Sequence, residues 1–437
     1  MSSTTEIRSS DETRVVIVGG GFAGFHCAQQ LSSDPTIRVT LIDKHNYQAF
    51  QPLLYQVGTG ILSPHNAAFN LRTLLYRRTN VDVKMSEIVS VNLATRTARG
   101  KSGDVYQGDY LVLAAGAEAN FLEVPGAEDH AFPLYSLRDA EKLRYRLIEI
   151  CEAAELHNDG SNQDIQVVIV GGGATGVEVA GALIDLMEGA PRHLFRNVDL
   201  GRGSVTIVDS GNTVLGPFKE QSQKYVTATL RARGVKFYFG AHVEEVTQKD
   251  VLLSDGKRIP STVVIWAGGL KAARLSGALT LTAGKGGRVD VQPDLSVPGS
   301  PGVYALGDFS NCNDSNGHPL PQLGSVAKQA GRHCAKNILA AIKGKPQEPF
   351  HYFDTGIMAM VGRNSAVAEI GQNRLALAGP LAFVAWLAVH VLLLNTFRVK
   401  VQTVFEWLSE YFGKVNVATI LDNDSQEPEA GRKTKAS

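Results

Sequence analysis

Twice in this 437-residue chain a β-branched strand runs into three glycines spaced G-x-G-x-x-G and then into an apolar-periodic helix. The first copy is RVVIVGGGFAG, Arg14 to Gly24, with Phe22 and Ala23 between its last glycines; the second is VVIVGGGATGVEVAG, Val167 to Gly181. In such a unit the first glycine (Gly19, Gly171) permits a tight turn. The second (Gly21, Gly173) lets backbone approach a pyrophosphate, and the third (Gly24, Gly176) lets the helix pack on the strand. One glycine pattern alone is weak evidence. Two copies in strand, loop, helix order predict two nucleotide sites, the arrangement of an enzyme that passes electrons from one nucleotide cofactor to another.

The segments around the two copies repeat as well. After the first, Phe25 to Leu31 reads as a helix and Val39 to Ile42 as a strand ending in Asp43, about 20 residues past the glycines, where an acid can bind a ribose hydroxyl pair. After the second, Val205 to Val208 ends in Asp209, further from its glycines because Pro191 to Gly203 adds a loop. Alternation between Asp82 and Ala98 suggests strands. A buried strand at Asp109 to Ala114 closes on Ala115-Gly116, and Val263 to Trp266 followed by Ala267-Gly268-Gly269 echoes it. Phe132 to Cys151 reads as a helix leading through a polar loop, Glu155 to Asp164, into the second unit. Gly302 to Leu306 is a strand into Gly307-Asp308, and Gln322 to Ile342 is helical, with a linker at Gly344 to Pro349. The chain thus starts one domain, inserts another and returns to the first. Between Asn46 and Gly60, NYQAFQPLLYQVGTG reads either as a packed loop or as a wall beside the first cofactor.

Lysine plus arginine equals aspartate plus glutamate at 43 each, which gives no global electrostatic case for nucleic acid. The four cysteines, Cys27, Cys151, Cys312 and Cys334, form no C-x-x-C pair, so neither a zinc site nor a dithiol relay is expected and no metal is assigned. The first residues, MSSTTEIRSSDETR, carry acids and no apolar run, and the catalytic body is expected in the cytosol.

Toward the other end, Gly379 to Phe397 holds 19 residues without a formal charge. That is long enough to raise a membrane span, but Pro380, His390 and Asn395 favour a shorter core helix. Beyond it Phe397, Val401, Val404, Phe405, Leu408, Tyr411 and Phe412 recur at helical spacing with Arg398, Gln402, Glu406, Ser409 and Glu410 interleaved and Trp407 near the boundary. Such an amphipathic helix either lies in a membrane interface or docks on its own protein or a second subunit, so a homodimer stays open.

Together these segments resemble the type II NADH dehydrogenases, single-chain, non-pumping NADH:quinone oxidoreductases. The resemblance rests on VVIVGGGFAG, NYQAFQPLLYQVGTG, DYLVLAAGAEANF, VVIVGGGATGVEVAG, VIWAGG, GVYALGDFS, FDTGIMAMVGRNSAVAEI and GPLAFVAWLAVHVLLL, and spans nearly the whole chain after Arg14. It implies an α/β fold of two Rossmann-like dinucleotide-binding domains, an FAD domain with an inserted NADH domain, plus a C-terminal helical, membrane-associating region. The expected divisions are 1–13 disordered, 14–125 and 291–375 the FAD domain, 126–290 the NADH domain, 376–421 the C-terminal region and 422–437 a disordered tail.

For FAD the resemblance implies Gly19, Gly21, Phe22, Ala23, Gly24, Asp43, Lys44, Gln51, Ala115, Gly116, Asp308 and Ala327. For NADH it implies Gly171, Gly173, Ala174, Thr175, Gly176, Asp209, Gly268 and Gly269, with Glu178 a catalytic acid near the nicotinamide or, on the plainer reading, a solvated acid at a helix start. The spacing agrees independently on the nucleotide, because an acid at the Asp209 position accepts from a 2′-hydroxyl and repels a 2′-phosphate.

The family's quinone motif AQ-x-A-x-Q stands here as Gly324-Ser325-Val326-Ala327-Lys328-Gln329, so only Ala327 and Gln329 keep it. The family's GEL after the second fingerprint is altered to Gly181-Ala182-Leu183. Quinone is expected at Tyr55, Gly324, Ser325 and Gln329, with Gln329 catalytic, on the cytoplasmic face of a membrane. The alternative is a soluble NADH-dependent reductase of a carrier protein or small substrate; a flavoprotein that only binds and docks is a third reading.

Overall fold

The computed structural model describes residues 12–156, 165–189, 202–275 and 283–412. The polar loop after Leu156, the loop inserted before Asp209 and both expected disordered ends fall wholly or largely outside these residues.

Two parallel five-stranded sheets carry the two fingerprints. In the first, Thr13–Val18 lies at the centre between Tyr110–Leu113 and Ile37–Asp43, with Val81–Met85 and Val303–Ala305 at the edges. In the second, Gln166–Val170 is central between Val263–Trp266 and Ser204–Asp209, with Lys236–Phe239 and Ala131–Pro133 at the edges. The order around each centre is the same, so the duplication read from the sequence is a duplication of topology. The edge strands differ in origin: the first sheet is completed by a segment nearly 200 residues later, as a chain that leaves a domain and returns requires. The near-continuous Val/Ile runs of the central strands follow from burial on both faces, Val15, Ile17, Val167 and Ile169 being fully enclosed.

Several local expectations shift. The first helix begins at Phe22, inside the predicted turn, because the third glycine already belongs to it. The helix expected over Phe132 to Cys151 is Leu137–Leu156, its predicted start being spent on the edge strand Ala131–Pro133. Tyr47–Ala49 is a short strand and Leu54–Gly58 a single helical turn, made too short for periodicity to reveal by the 3-10 turn and Pro52 before it.

A three-stranded antiparallel sheet, Gly356–Gly362, Ser365–Ile370 and Leu375–Gly379, stands out in neither spacing nor composition. It packs on the Ala174–Gly189 helix so closely that a Cβ at Gly181 would lie 2.3 Å from the Val361 carbonyl oxygen. The altered Gly181-Ala182-Leu183 stretch is therefore the small-residue face that receives this sheet. On the sheet rests the Pro380–Leu393 helix, 14 residues long, with Ala382 and Trp386 fully buried. The uncharged run breaks at Leu394, and no helix among the described residues is long and apolar enough to cross a membrane.

The last helix, Phe397–Phe412, is amphipathic as expected, and its polar side is the docked one. Asn66 donates to Thr403 Oγ1 at 3.0 Å, the Ser63 amide to Glu406 at 3.2 Å and the Trp407 indole to Gln56 at 2.7 Å. Phe397, Phe405 and Phe412 are 80%, 71% and 78% exposed.

Candidate functional site: two nucleotide cradles and an apolar cleft

Each fingerprint folds into the same cradle. Gly19 (φ 105°) and Gly171 (φ 104°) hold backbone that L side chains rarely adopt, and a Cβ on either would strike the carbonyl of Ala114 or Ala267. Gly24 and Gly176 lie where a Cβ would come within 1.9 and 2.0 Å of the Gly19 and Gly171 oxygens. Around Gly21 and Gly173, by contrast, nothing among the described residues lies within 4 Å of an added Cβ. A glycine beside open space at a helix N-terminus is where a pyrophosphate is received.

The two acids are held alike. Asp43 accepts from the Gly20 and His45 amides at 2.6 and 2.7 Å, and Asp209 from the Gly172 and Gly211 amides at 2.6 and 2.7 Å. Each carboxylate ties the second strand to the glycine loop and keeps lone pairs for a ribose diol. Burial pushes the Asp43 carboxyl up, against the pull of its two amide donors. Lys44 beside it is exposed.

Around the first cradle the fold gathers segments far apart in sequence. Gly307 packs between the methyls of Ala23 and Ala327, and a Cβ at Gly324 would rest 3.3 Å from the Phe22 ring. Asp308 accepts a 2.9 Å hydrogen bond from the Tyr135 hydroxyl, which comes from the crossing into the second sheet. Burial raises both groups, and the Asp308 charge raises Tyr135 further. A Cβ at Gly116 would lie 3.6 Å from the same hydroxyl. The Gln51 side-chain oxygen is buried without a hydrogen-bond partner among the described residues, an acceptor that a ligand donor would satisfy. The open space at Gly21 and this orphaned acceptor fit a bound flavin dinucleotide.

In the second cradle Ala174 opens the helix and Thr175 follows it, both beside the open space at Gly173. Gly268 lies against the Trp266 indole, and Gly269 (φ 131°) closes the strand end above the fingerprint.

Glu178 is enclosed rather than solvated, at 8% exposure, so the plainer reading of it does not hold. Its carboxylate accepts from the Met360 amide at 3.2 Å, and burial pushes its pKa up to about 8, with Met360 and Trp386 pulling the other way. Trp386 stacks on His390 at 3.7 Å and meets Tyr55 edge-on at 6.3 Å. Burial drives His390 down to about 4, so the ring is neutral near pH 7.

Beside this cluster opens a cleft of about 1510 Å³, walled by Tyr55, Ile148, Leu183, Met360, Leu387 and Leu408 among others. Its mouth runs out between the two C-terminal helices, where Val384, Leu392 and Phe412 are both wall and exposed surface. Arg233 pairs with Asp185 and Glu188, each at 2.7 Å, along one side.

The predicted quinone residues separate. Tyr55 lines the cleft, whereas Gly324, Ser325 and Gln329 do not. Gln329 exchanges two hydrogen bonds with the Phe353 backbone, at 2.9 and 3.0 Å, and Ser325 pairs with the Tyr352 hydroxyl at 2.9 Å. Trp386, Gln56, Met360 and Tyr135 join the site without having been singled out. Trp386 and His390 carried a faint signal, since two polar-tipped rings four apart inside an apolar run share one helix face.

Two cradles of one design, joined by a chain that returns to its first sheet, define a two-nucleotide oxidoreductase. The sequence pattern of the pyridine nucleotide-disulphide oxidoreductases matches residues 13–331. The type II NADH:quinone oxidoreductase Ndh of Mycobacterium tuberculosis is 33% identical over 410 residues, covering 90% of this chain and 87% of that protein. The demethylphylloquinone reductase NdbB of Synechocystis is 26% identical over 412 residues, covering 92% and 96%. NDH2 of Plasmodium falciparum, solved with NADH, shares the fold at a TM-score of 0.84 and 19% identity, covering 93% of this chain and all of that one. The chain belongs to the type II NADH:quinone oxidoreductases within the pyridine nucleotide-disulphide oxidoreductase family. It is an oxidoreductase of a family that uses FAD and NADH.

Proposed function

We propose that this protein oxidises NADH at the second cradle and reduces a membrane quinone in the cleft, working as a peripheral protein on the cytoplasmic face of a membrane. The observation that carries the acceptor is the cleft itself: apolar, large, and opening between helices whose outer faces are apolar too. A lipid-soluble acceptor reaches such a mouth without crossing water.

In this reading Gly19 to Gly24, Asp43, Lys44, Gln51, Ala115, Gly116, Asp308 and Ala327 would hold FAD, which would supply the two-electron chemistry between nicotinamide and acceptor. The divisions 14–125 and 291–375 form its domain, and 126–290 the NADH domain. Gly171, Gly173, Ala174, Thr175 and Gly176 receive the NADH pyrophosphate, Asp209 holds its adenosine ribose, and Gly268 and Gly269 border the nicotinamide. Glu178, protonated up to about pH 8, stores a proton one layer behind the cleft wall. Gln329, Ser325 and Gly324 act by shaping the helix start behind Phe22. The inside-out amphipathicity of the last helix supports interfacial seating, its polar side anchored to the body and its phenylalanines facing out. A second copy of the chain would cover the same face in a homodimer.

The test is spectroscopic. Purified protein should carry a flavin band that NADH bleaches and a short-chain quinone restores. Reoxidation by a ferredoxin-like carrier and not by quinone would replace this reading with that of a soluble reductase.

A further inference from the structure

A chain of hydrogen bonds runs from the outermost helix to the cleft wall, and its polarity is fixed. The Trp407 indole nitrogen can only donate, and it donates to Gln56 Oε1 at 2.7 Å. That contact removes the usual ambiguity of an amide: with its oxygen facing the indole, Gln56 turns its nitrogen to Tyr55. Gln56 Nε2 then donates to the phenol oxygen at 2.8 Å. Tyr55 is the acceptor in this bond, so its own hydrogen points elsewhere. Among the described residues no hydrogen-bond acceptor takes it.

Tyr55 is also held from behind. Its ring meets Trp386 edge-on at 6.3 Å, and its carbonyl receives both the amide and the hydroxyl of Thr59 at 2.9 Å. The side chain is buried against the protein yet forms part of the cleft wall. A fixed phenol in the cleft wall whose oxygen is already engaged and whose hydrogen is unspent has a donor left for a ligand.

We propose that Tyr55 donates its hydroxyl hydrogen bond to a carbonyl oxygen of the acceptor in the cleft, and that Gln56 and Trp407 are positioning residues that keep that hydrogen pointed inward. The proposal rests on the quinone reading and deepens it, since a quinone carbonyl is an acceptor awaiting such a donor. The bond strengthens as the carbonyl oxygen gains electron density during reduction. The phenol keeps its proton, because burial and the nearby Glu178 carboxyl raise it well above the usual tyrosine range. Because Trp407 sits on the helix with the exposed phenylalanines, the orientation of this donor depends on the seating of that helix.

Three single variants and one double variant of the holoenzyme test this, with NADH oxidation followed against a short-chain benzoquinone and against ferricyanide, which offers no carbonyl. Tyr55→Phe removes the donor. Trp407→Phe keeps a ring but frees the Gln56 amide to flip and accept the phenol hydrogen. Gln56→Glu accepts at both ends and captures the hydrogen by different chemistry, so it reports even if one of the others folds poorly. Each should lower kcat/KM for the quinone roughly three- to tenfold, the worth of one hydrogen bond, through a lower kcat as well as a higher KM, with no matching loss against ferricyanide.

The double variant Tyr55→Phe/Trp407→Phe should be no worse than Tyr55→Phe alone, because the substitution at Trp407 keeps an aromatic ring in the cleft wall and what it removes, the indole's donation to Gln56, acts through that hydroxyl. Additive losses, or equal losses with both acceptors, would overturn the assignment. A wild-type holoenzyme that NADH bleaches and quinone does not restore would overturn the quinone reading, and this proposal with it.

Discussion

At the scale of single residues, Asp209 and Glu178 are carboxylates put to opposite uses by their surroundings. Asp209 is tied by two backbone amides at the rim of an open cradle, where a charge can select a sugar hydroxyl. Asp209→Asn keeps the shape and removes the charge, so the preference for NADH over NADPH, read as the ratio of kcat/KM values, should fall by about ten- to a hundredfold. An unchanged ratio would confine Asp209 to bracing the glycine loop.

Glu178, enclosed by Met360 and Trp386, has its pKa raised to about 8 in the fold from the usual 4.5. From about pH 4.5 to 8 the folded state therefore keeps a proton that the unfolded state has lost, and stability declines as pH rises through this window. Glu178→Gln abolishes the titration. Its melting temperature should gain on that of the wild type by a few degrees as pH climbs from 5 to 9, steadily through the window between the two pKa values and levelling off above about 8, and a pH-independent gap would show that Glu178 ionises normally.

At the scale of elements, the last helix shows why periodicity gives the face but not its direction. The spacing of Phe397, Val401, Val404, Phe405, Leu408 and Phe412 marks one apolar stripe, and in most water-soluble proteins such a stripe faces the core. Here Thr403, Glu406 and Trp407 find partners on the body, and the stripe is left outside. Phe397→Asp/Phe405→Asp should cut co-sedimentation with anionic lipid vesicles by about tenfold or more while moving the melting temperature by little, since both side chains are exposed. Undiminished binding would point to another anchor, and a change in molecular mass without lipid would point to a dimer. The antiparallel sheet at Gly356–Gly379 escaped notice because its small residues, Gly, Ala and Ser, carry little alternation. On the Gly356–Gly362 strand the Ala174–Gly189 helix lies close, a Cβ at Gly181 falling 2.3 Å from the Val361 oxygen.

At the scale of the molecule, the C-terminal third is structural as well as peripheral. Trp386 and Ala382 are fully buried in the same core as the second fingerprint strand and Leu54, so the segment expected to anchor the protein also completes it. Ending the chain at Gly379 should therefore cost far more than membrane attachment: loss of the Trp386 side chain alone is worth about 3–5 kcal/mol. Such a truncation should lose its cooperative melt or precipitate, whereas a soluble, flavin-loaded product melting within a few degrees of the full chain would show the region to be an appendage.

The Tyr135 to Asp308 bond likewise joins the crossing strand to the returning segment across 173 positions. Nothing in the spacing of either residue announces it.

The two fingerprints, the acids at the ends of the second strands and the echoing strands at Leu113 and Trp266 were all legible in the sequence. Each depends on a few residues close along the chain, with glycine, proline and side-chain charge acting over one or two turns. Family membership followed from the same segments. The enclosure of Glu178 beside Met360, the outward turn of the last helix and the Trp407, Gln56, Tyr55 chain were decided only by tertiary structure. Burial, hydrogen-bond direction and the identity of a packing face are relations between residues hundreds of positions apart, and no local pattern carries them.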